Sequence, residues 1–146
     1  MIVYAVIDTN VMVSAMLSSH DDAVTVRVVE KLFTGEIIPL YSTEILYEYY
    51  DVLHRDKFPF PDDEINSMLS AIKKFGICVD AAPSTEILAD MKDLPFYEVV
   101  LKKQDYGAYL VTGNIKHYPQ KSFIVTENQL LDIFNNCHNN LDLNQP

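Results

Sequence analysis

The sequence predicts an α/β fold in which a central, mainly parallel sheet of four to five strands is covered by helices on both sides. Three observations predict it. Short apolar, β-branched runs (residues 2–7, 37–41, 77–79, 108–112 and 123–125) alternate with longer stretches whose apolar residues recur at helical spacing. Strands alternating with helices imply right-handed crossovers and hence parallel pairing. The first run, Ile2-Val3-Tyr4-Ala5-Val6-Ile7, is apolar at nearly every position, as a strand buried on both faces must be.

That first strand ends at Asp8, followed by Thr9, Asn10 and a run with helical spacing (Val11, Met12, Ala15, Met16). Residues 18–22 are a polar interruption, and residues 23–33 resume a helix that stops at Gly35. A strand at 37–41 leads to Ser42 or Thr43, either of which caps a helix running to about Arg55, where Lys57-Phe58-Pro59-Phe60-Pro61 breaks it. Asp62, Asp63 and Glu64 open the next helix, and Lys73, Lys74 and Gly76 close it, as the helix dipole prefers. A strand at 77–79 precedes a mixed segment at 83–91, read as loop and short helix. A helix over 94–104, a strand at 108–112, a Gly-Asn turn, a strand at 123–125 and a helix over 127–134 complete one domain, residues 1–134. Residues 135–146 are rich in Asn and read as a frayed polar tail.

The 146 residues suffice for one full core and are too few for two ordinary domains. Hydrophobic residues at 49% and charged ones at 22% exclude a disordered or fibrous chain. Cys78 and Cys137 share no metal-ligand spacing, so free thiols in a reducing compartment are expected. No stretch is long and apolar enough for a membrane span, and the amino terminus lacks the basic region of a signal peptide, which reads as a cytoplasmic protein. The net charge of −10, from 21 acids against 11 Lys and Arg, argues against a general DNA binder. Acids gathered round cations are neutralised locally, however, and Lys73 with Lys74, Lys102 with Lys103, and Lys116, His117 and Lys121 are all candidates for a local basic rim.

Function is read from the acids. Asp8 follows a buried strand where a helix begins, in the crevice where open α/β sheets hold ligands, although a simple helix cap accounts for it equally well. On the helix from Thr43, the residues Ile45, Leu46, Tyr49, Val52 and Leu53 form one apolar stripe. At about 100° per residue, Glu48 lies roughly 100° from the stripe centre and Glu44 roughly 140°, so Glu48 is the acid at the inner margin. Asp90 and Asp93 precede the helix at Leu94 and Pro95, and Asp93 fits its N-cap with Pro95 in the first turn. Glu98 sits among Phe96, Val99, Val100 and Leu101, where a carboxylate must be paired, metal-bound or protonated. Leu110-Val111-Thr112-Gly113-Asn114 ends a strand with a hydroxyl and a carboxamide, or simply makes a turn. Asp8, Glu48, Asp93 and Asn114 thus bring four oxygen ligands to one sheet edge. Hard divalent cations favour such oxygens, and they acidify a water and neutralise phosphate oxygens in phosphodiester hydrolysis.

In order and spacing, Val6-Ile7-Asp8-Thr9-Asn10-Val11, Ser42 with Glu48-Tyr49, Asp90 with Asp93-Leu94-Pro95-Phe96-Tyr97-Glu98, and Leu110 to Asn114 resemble the PIN-domain family. The closer likeness is to the toxin components of bacterial toxin–antitoxin systems, the VapC-like ribonucleases. The resemblance covers about residues 2–134. It implies a three-layer α/β/α sandwich, an endoribonuclease dependent on one or two Mg²⁺ or Mn²⁺ ions, RNA as substrate, and a homodimer inhibited by a cognate antitoxin protein. By motif, Asp8, Glu48 and Asp93 take the first three acidic positions and Asn114 stands where many members place a fourth aspartate. Thr112 would orient metal-bound water, and Asn10 would hold the Asp8 loop. Two rivals remain open: a catalytically impaired binding module of the same fold, which Asn114 favours, and an aspartate-based phosphatase, which lacks an acid at position 10.

Overall fold

The computed structural model describes residues 1–143. Among them, five strands form one sheet: β1 (Val3–Ile7), β2 (Ile37–Tyr41), β3 (Ile77–Cys78), β4 (Tyr109–Val111) and β5 (Ile124–Val125), in the order β3-β2-β1-β4-β5. All four neighbouring pairs are parallel. β1 takes the centre because it is apolar on both faces, and Val3, Ala5, Val6 and Ile7 are all buried.

Six α-helices flank the sheet: α1 (Thr9–Leu17), α2 (Val24–Thr34), α3 (Thr43–Leu53), α4 (Asp62–Phe75), α5 (Leu94–Lys102) and α6 (Glu127–Leu143). The chain moves outward from β1 to β2 and β3, then returns past β1 to β4 and β5. Right-handed crossovers running in opposite directions deliver their helices to opposite faces. Accordingly, α5 lies across β1, β2 and β4, whereas α2 and α4 pack on β2 and α6 packs on α2. The result is the expected α/β/α sandwich. The reversal falls between β1 and β4, so their carboxyl ends flank a topological switch point, the place where sheets of this kind leave a crevice.

Local chemistry fixes the element ends. Ser42 Oγ accepts the Ile45 N–H at 3.2 Å and caps α3. Gly35 closes α2 at φ 83°, a left-handed conformation that only glycine adopts without strain. At Gly76 the reason is space: a Cβ there would stand 2.5 Å from the carbonyl oxygens of Ile72 and Pro39, so glycine lets the end of α4 close on β2. Inside, the Tyr49 and Phe96 rings of α3 and α5 meet at 6.0 Å. The Tyr49 hydroxyl donates to the Ile7 carbonyl at 2.5 Å, fastening α3 to the end of β1.

Three boundaries differ from the sequence reading. Residues 83–90 contain no helix, and a 3₁₀ turn, Met91–Asp93, leads directly into α5. Helix α3 stops at Leu53, two residues early, with His54 Nδ1 2.6 Å from the Tyr50 carbonyl oxygen. Helix α6 runs to Leu143 instead of ending near Phe134, because extending a formed helix costs far less than starting one, even through asparagines. The last residues of the expected tail, 144–146, lie outside the described residues. Both cysteines are free thiols. Among the described residues, no helix is long and apolar enough to cross a membrane.

Candidate active site

Asp8 leaves the end of β1 at the switch point and is 3% exposed. Its side chain makes no cap bond to α1. Instead Oδ2 accepts a 2.6 Å hydrogen bond from the Thr112 hydroxyl, which stands at the matching end of β4, and a longer one of 3.4 Å from the Tyr118 hydroxyl. Main-chain pairing sets this up: the Asp8 N–H donates to the Val111 carbonyl at 2.9 Å, carrying the β1–β4 register one residue past the strands. The family resemblance implied that Thr112 orients metal-bound water, a role that concerns a ligand. In the structure its hydroxyl also holds the carboxylate, because parallel register puts residues 8 and 112 side by side.

Burial raises the Asp8 pKa above the ordinary value, and the Thr112 hydrogen bond is the leading influence pulling it back. Beside it, Asp93 is lifted to about 6, first by burial, then by the negative charges of Asp8 and Asp90, with His117 opposing. The Tyr118 hydroxyl is pushed well up by burial and by the same two carboxylates, Asp8 and Asp93, so it remains a donor at any physiological pH.

Asp93 does not cap α5. Its backbone is already helical, and its side chain makes no cap bond. Asp90 does that work one turn earlier, accepting the Lys92 N–H at 3.0 Å. The 3₁₀ turn therefore leaves both Asp93 oxygens available, and one lies 3.5 Å from His117 Nδ1, an ion pair when the imidazole is protonated.

Asp8, Asn10, Glu48, Asp90, Asp93 and His117 line one polar concavity of about 180 Å³. Glu48 is half-buried at its wall while Glu44 faces solvent, as the helical wheel predicts. Asn114 falls outside: its side chain is exposed, it is absent from that lining, and its N–H donates to Thr112 Oγ1 at 2.9 Å. The 3₁₀ turn Ile115–His117 begins there and brings His117 to the concavity instead. Glu98 also lies elsewhere, half-buried in a second polar cavity with Glu44 and Asp80 and accepting the Ser84 N–H. It is paired, one of the three fates burial allowed.

His117, Tyr118 and Tyr49 escaped the sequence reading as site residues. The available signal was position: His117 and Tyr118 follow the Gly-Asn turn in a short loop at the carboxyl end of a central strand.

The family model of the PIN domain matches residues 4–116, most of the chain and every residue lining this concavity except His117. The chain belongs to the PIN-domain family. PIN domains are generally nucleases that act on RNA, so at that coarse level this PIN domain is a hydrolase. No curated protein matches the chain closely enough to name a relative.

PIN-domain nucleases typically use divalent metal ions, and the residues here suit one chemically. The charge of Asp8 raises the proton affinity of Asp93, which a cation between them would relieve. The hydroxyl of Thr9, on the concavity wall, is a buried polar atom with no hydrogen-bond partner. Among the described residues, however, no three acidic, His or Cys side chains converge closely enough to enclose an ion. The half-buried Glu48 side chain lines the same concavity and makes no hydrogen bond among the described residues.

Proposed function

We propose that this PIN domain is a Mg²⁺- or Mn²⁺-dependent endoribonuclease, and that it is the toxin of a toxin–antitoxin pair, acting in the cytoplasm as a homodimer held in check by a cognate antitoxin protein. The observation that supports the nuclease reading is the Asp8–Asp93 pair, a buried and a half-buried carboxylate lining one concavity at the switch point, the charge of the first raising the pKa of the second. The toxin reading rests on the ordered motifs alone.

Asp8, Asp93 and Glu48 would hold the ion. When bound, it acidifies a water and offsets charge on the phosphodiester. The rest falls to the protein. Thr112 and Tyr118 hold Asp8 by one oxygen, Oδ2, and so fix the carboxylate at the cleft. Asp93, with a pKa near 6 in the metal-free protein, surrenders its proton readily when positive charge arrives. His117 orients Asp93 from the mouth of the cleft. Arg55 and Lys92, also on the lining, offer positive charge to an incoming phosphate.

The test compares cleavage of RNA by the native protein, Asp8→Asn and Asp93→Asn in Mn²⁺, Mg²⁺ and EDTA. Cleavage that needs metal and falls at least about a hundredfold in both variants is expected. Equal rates under all conditions would sink the proposal. A second reading, a binding module with an impaired site, draws on the outward position of Asn114 and the open acid set; inertness with every metal together with tight RNA or protein binding would decide for it.

A further inference from the structure

Next to the acidic cleft, on the β4–β5 side, lies a second concavity of about 290 Å³ lined by Ile115, Lys116, Tyr118, Gln120, Lys121 and Ile124. The two share a wall. His117 faces the cleft, its neighbours Lys116 and Tyr118 face the second concavity, and the Tyr118 hydroxyl reaches through to Asp8. In a chain of net charge −10, this lining carries two lysines and no acid. Neither Lys116 nor Lys121 makes an ion pair among the described residues, and both are exposed. Between them the floor is apolar, built from Ile115, Tyr118 and Ile124, with the Gln120 carboxamide at the rim.

Resting on the nuclease reading above, we propose that this concavity is a nucleotide subsite: it holds the residue of the RNA strand next to the scissile phosphodiester. Each part of the lining suits one part of a nucleotide. The ammonium groups meet the phosphate, the apolar floor meets the flat face of a base or the ribose, and the carboxamide is able both to donate to and to accept from a base edge. The size sits at the small end of organic ligand sites, as a single unit of a longer strand requires. The subsite also explains how a strongly acidic protein holds a polyanion: the strand is drawn by a local positive wall, and the acids are left to the cation. Its place fixes the path of the strand, which leaves the acidic cleft over the β5 edge of the sheet.

The experiment measures binding of a fluorescein-labelled single-stranded oligoribonucleotide by anisotropy across a salt series. It is run in EDTA, and again in Mg²⁺ on an Asp8→Asn background so that cleavage does not interfere. Lys116→Ala/Lys121→Ala is compared with Lys73→Ala/Lys74→Ala, which removes the same charge from exposed positions on α4. The subsite predicts an affinity loss of about tenfold and a salt slope shallower by about 1 for the first pair, with little change for the second. Equal losses in both pairs, no loss in the first, or no binding by the native protein would overturn it. Lysine-dependent binding by a protein that cleaves nothing with any metal would remove the nuclease reading and leave a nucleotide site. Metal-dependent cleavage with an unchanged first pair would do the reverse.

Discussion

Replacing Asp93 by asparagine should make the metal-free protein more stable, and only above mildly acidic pH. The acid has an ordinary pKa of 3.8 and one of about 6 in the fold, where burial and the charges of Asp8 and Asp90 oppose ionisation. At 1.36 kcal/mol for each pKa unit, keeping Asp93 ionised at neutral pH destabilises the fold by about 3 kcal/mol. Its side chain is only 16% exposed, so solvent screening removes little of this. The raised pKa means that the native state binds more protons than the unfolded chain between about pH 4 and pH 6. Stability therefore falls as pH rises through that window, and the loss is complete above it. Asparagine does not titrate. In EDTA, Asp93→Asn should match the native protein near pH 4 and exceed it near pH 8 by up to about 3 kcal/mol, or on the order of 5–10 °C in Tm for a domain of this size. Loss of the exposed His117 contact offsets this by at most about 1 kcal/mol. Urea and thermal unfolding across the pH range would read the difference. A variant that is less stable at pH 8, or that keeps the native pH dependence, would refute the assignment of Asp93 to a crowded, unneutralised site.

The same electrostatics make two further outcomes testable. Thr112→Val, nearly isosteric, removes the hydroxyl from Asp8 Oδ2 and should destabilise the fold by about 1–3 kcal/mol while moving the acid limb of the cleavage pH profile upward, since a lost donor raises the carboxyl pKa further; an unmoved limb would show that Asp8 does not govern it. Saturating Mn²⁺ at about a hundred times its Kd should stabilise the native protein by about 2.7 kcal/mol, seen as a rise in melting temperature; Asp8→Asn should lose most of that rise, and a variant that keeps it would remove Asp8 from the ligand set.

Much of the scaffold was legible because it depends on local pattern. The apolar run of β1 required a central strand, and the wheel of α3 required Glu48 at the margin with Glu44 in water. What escaped depended on contacts remote in sequence or on turns whose pitch differs from an α-helix. The hydrogen bonds of Thr112 and Tyr118 to Asp8 span more than a hundred positions, and nothing in the spacing of residues 112–118 announces them. Asp90 and Asp93 both carry the signature of a cap, and only the 3₁₀ turn between them decides which side chain is engaged. A similar turn after Asn114 exchanges it for His117 at the cleft. The Asn-rich end was read from composition, which underrates how readily an established helix propagates.

The bond from Thr112 to Asp8 joins residues 104 positions apart. Until β4 slides in beside β1, the polypeptide has no formed cleft. The cleft is therefore a product of long-range strand pairing, and a fragment that lacks β4 has Asp8 without the hydroxyl that holds it.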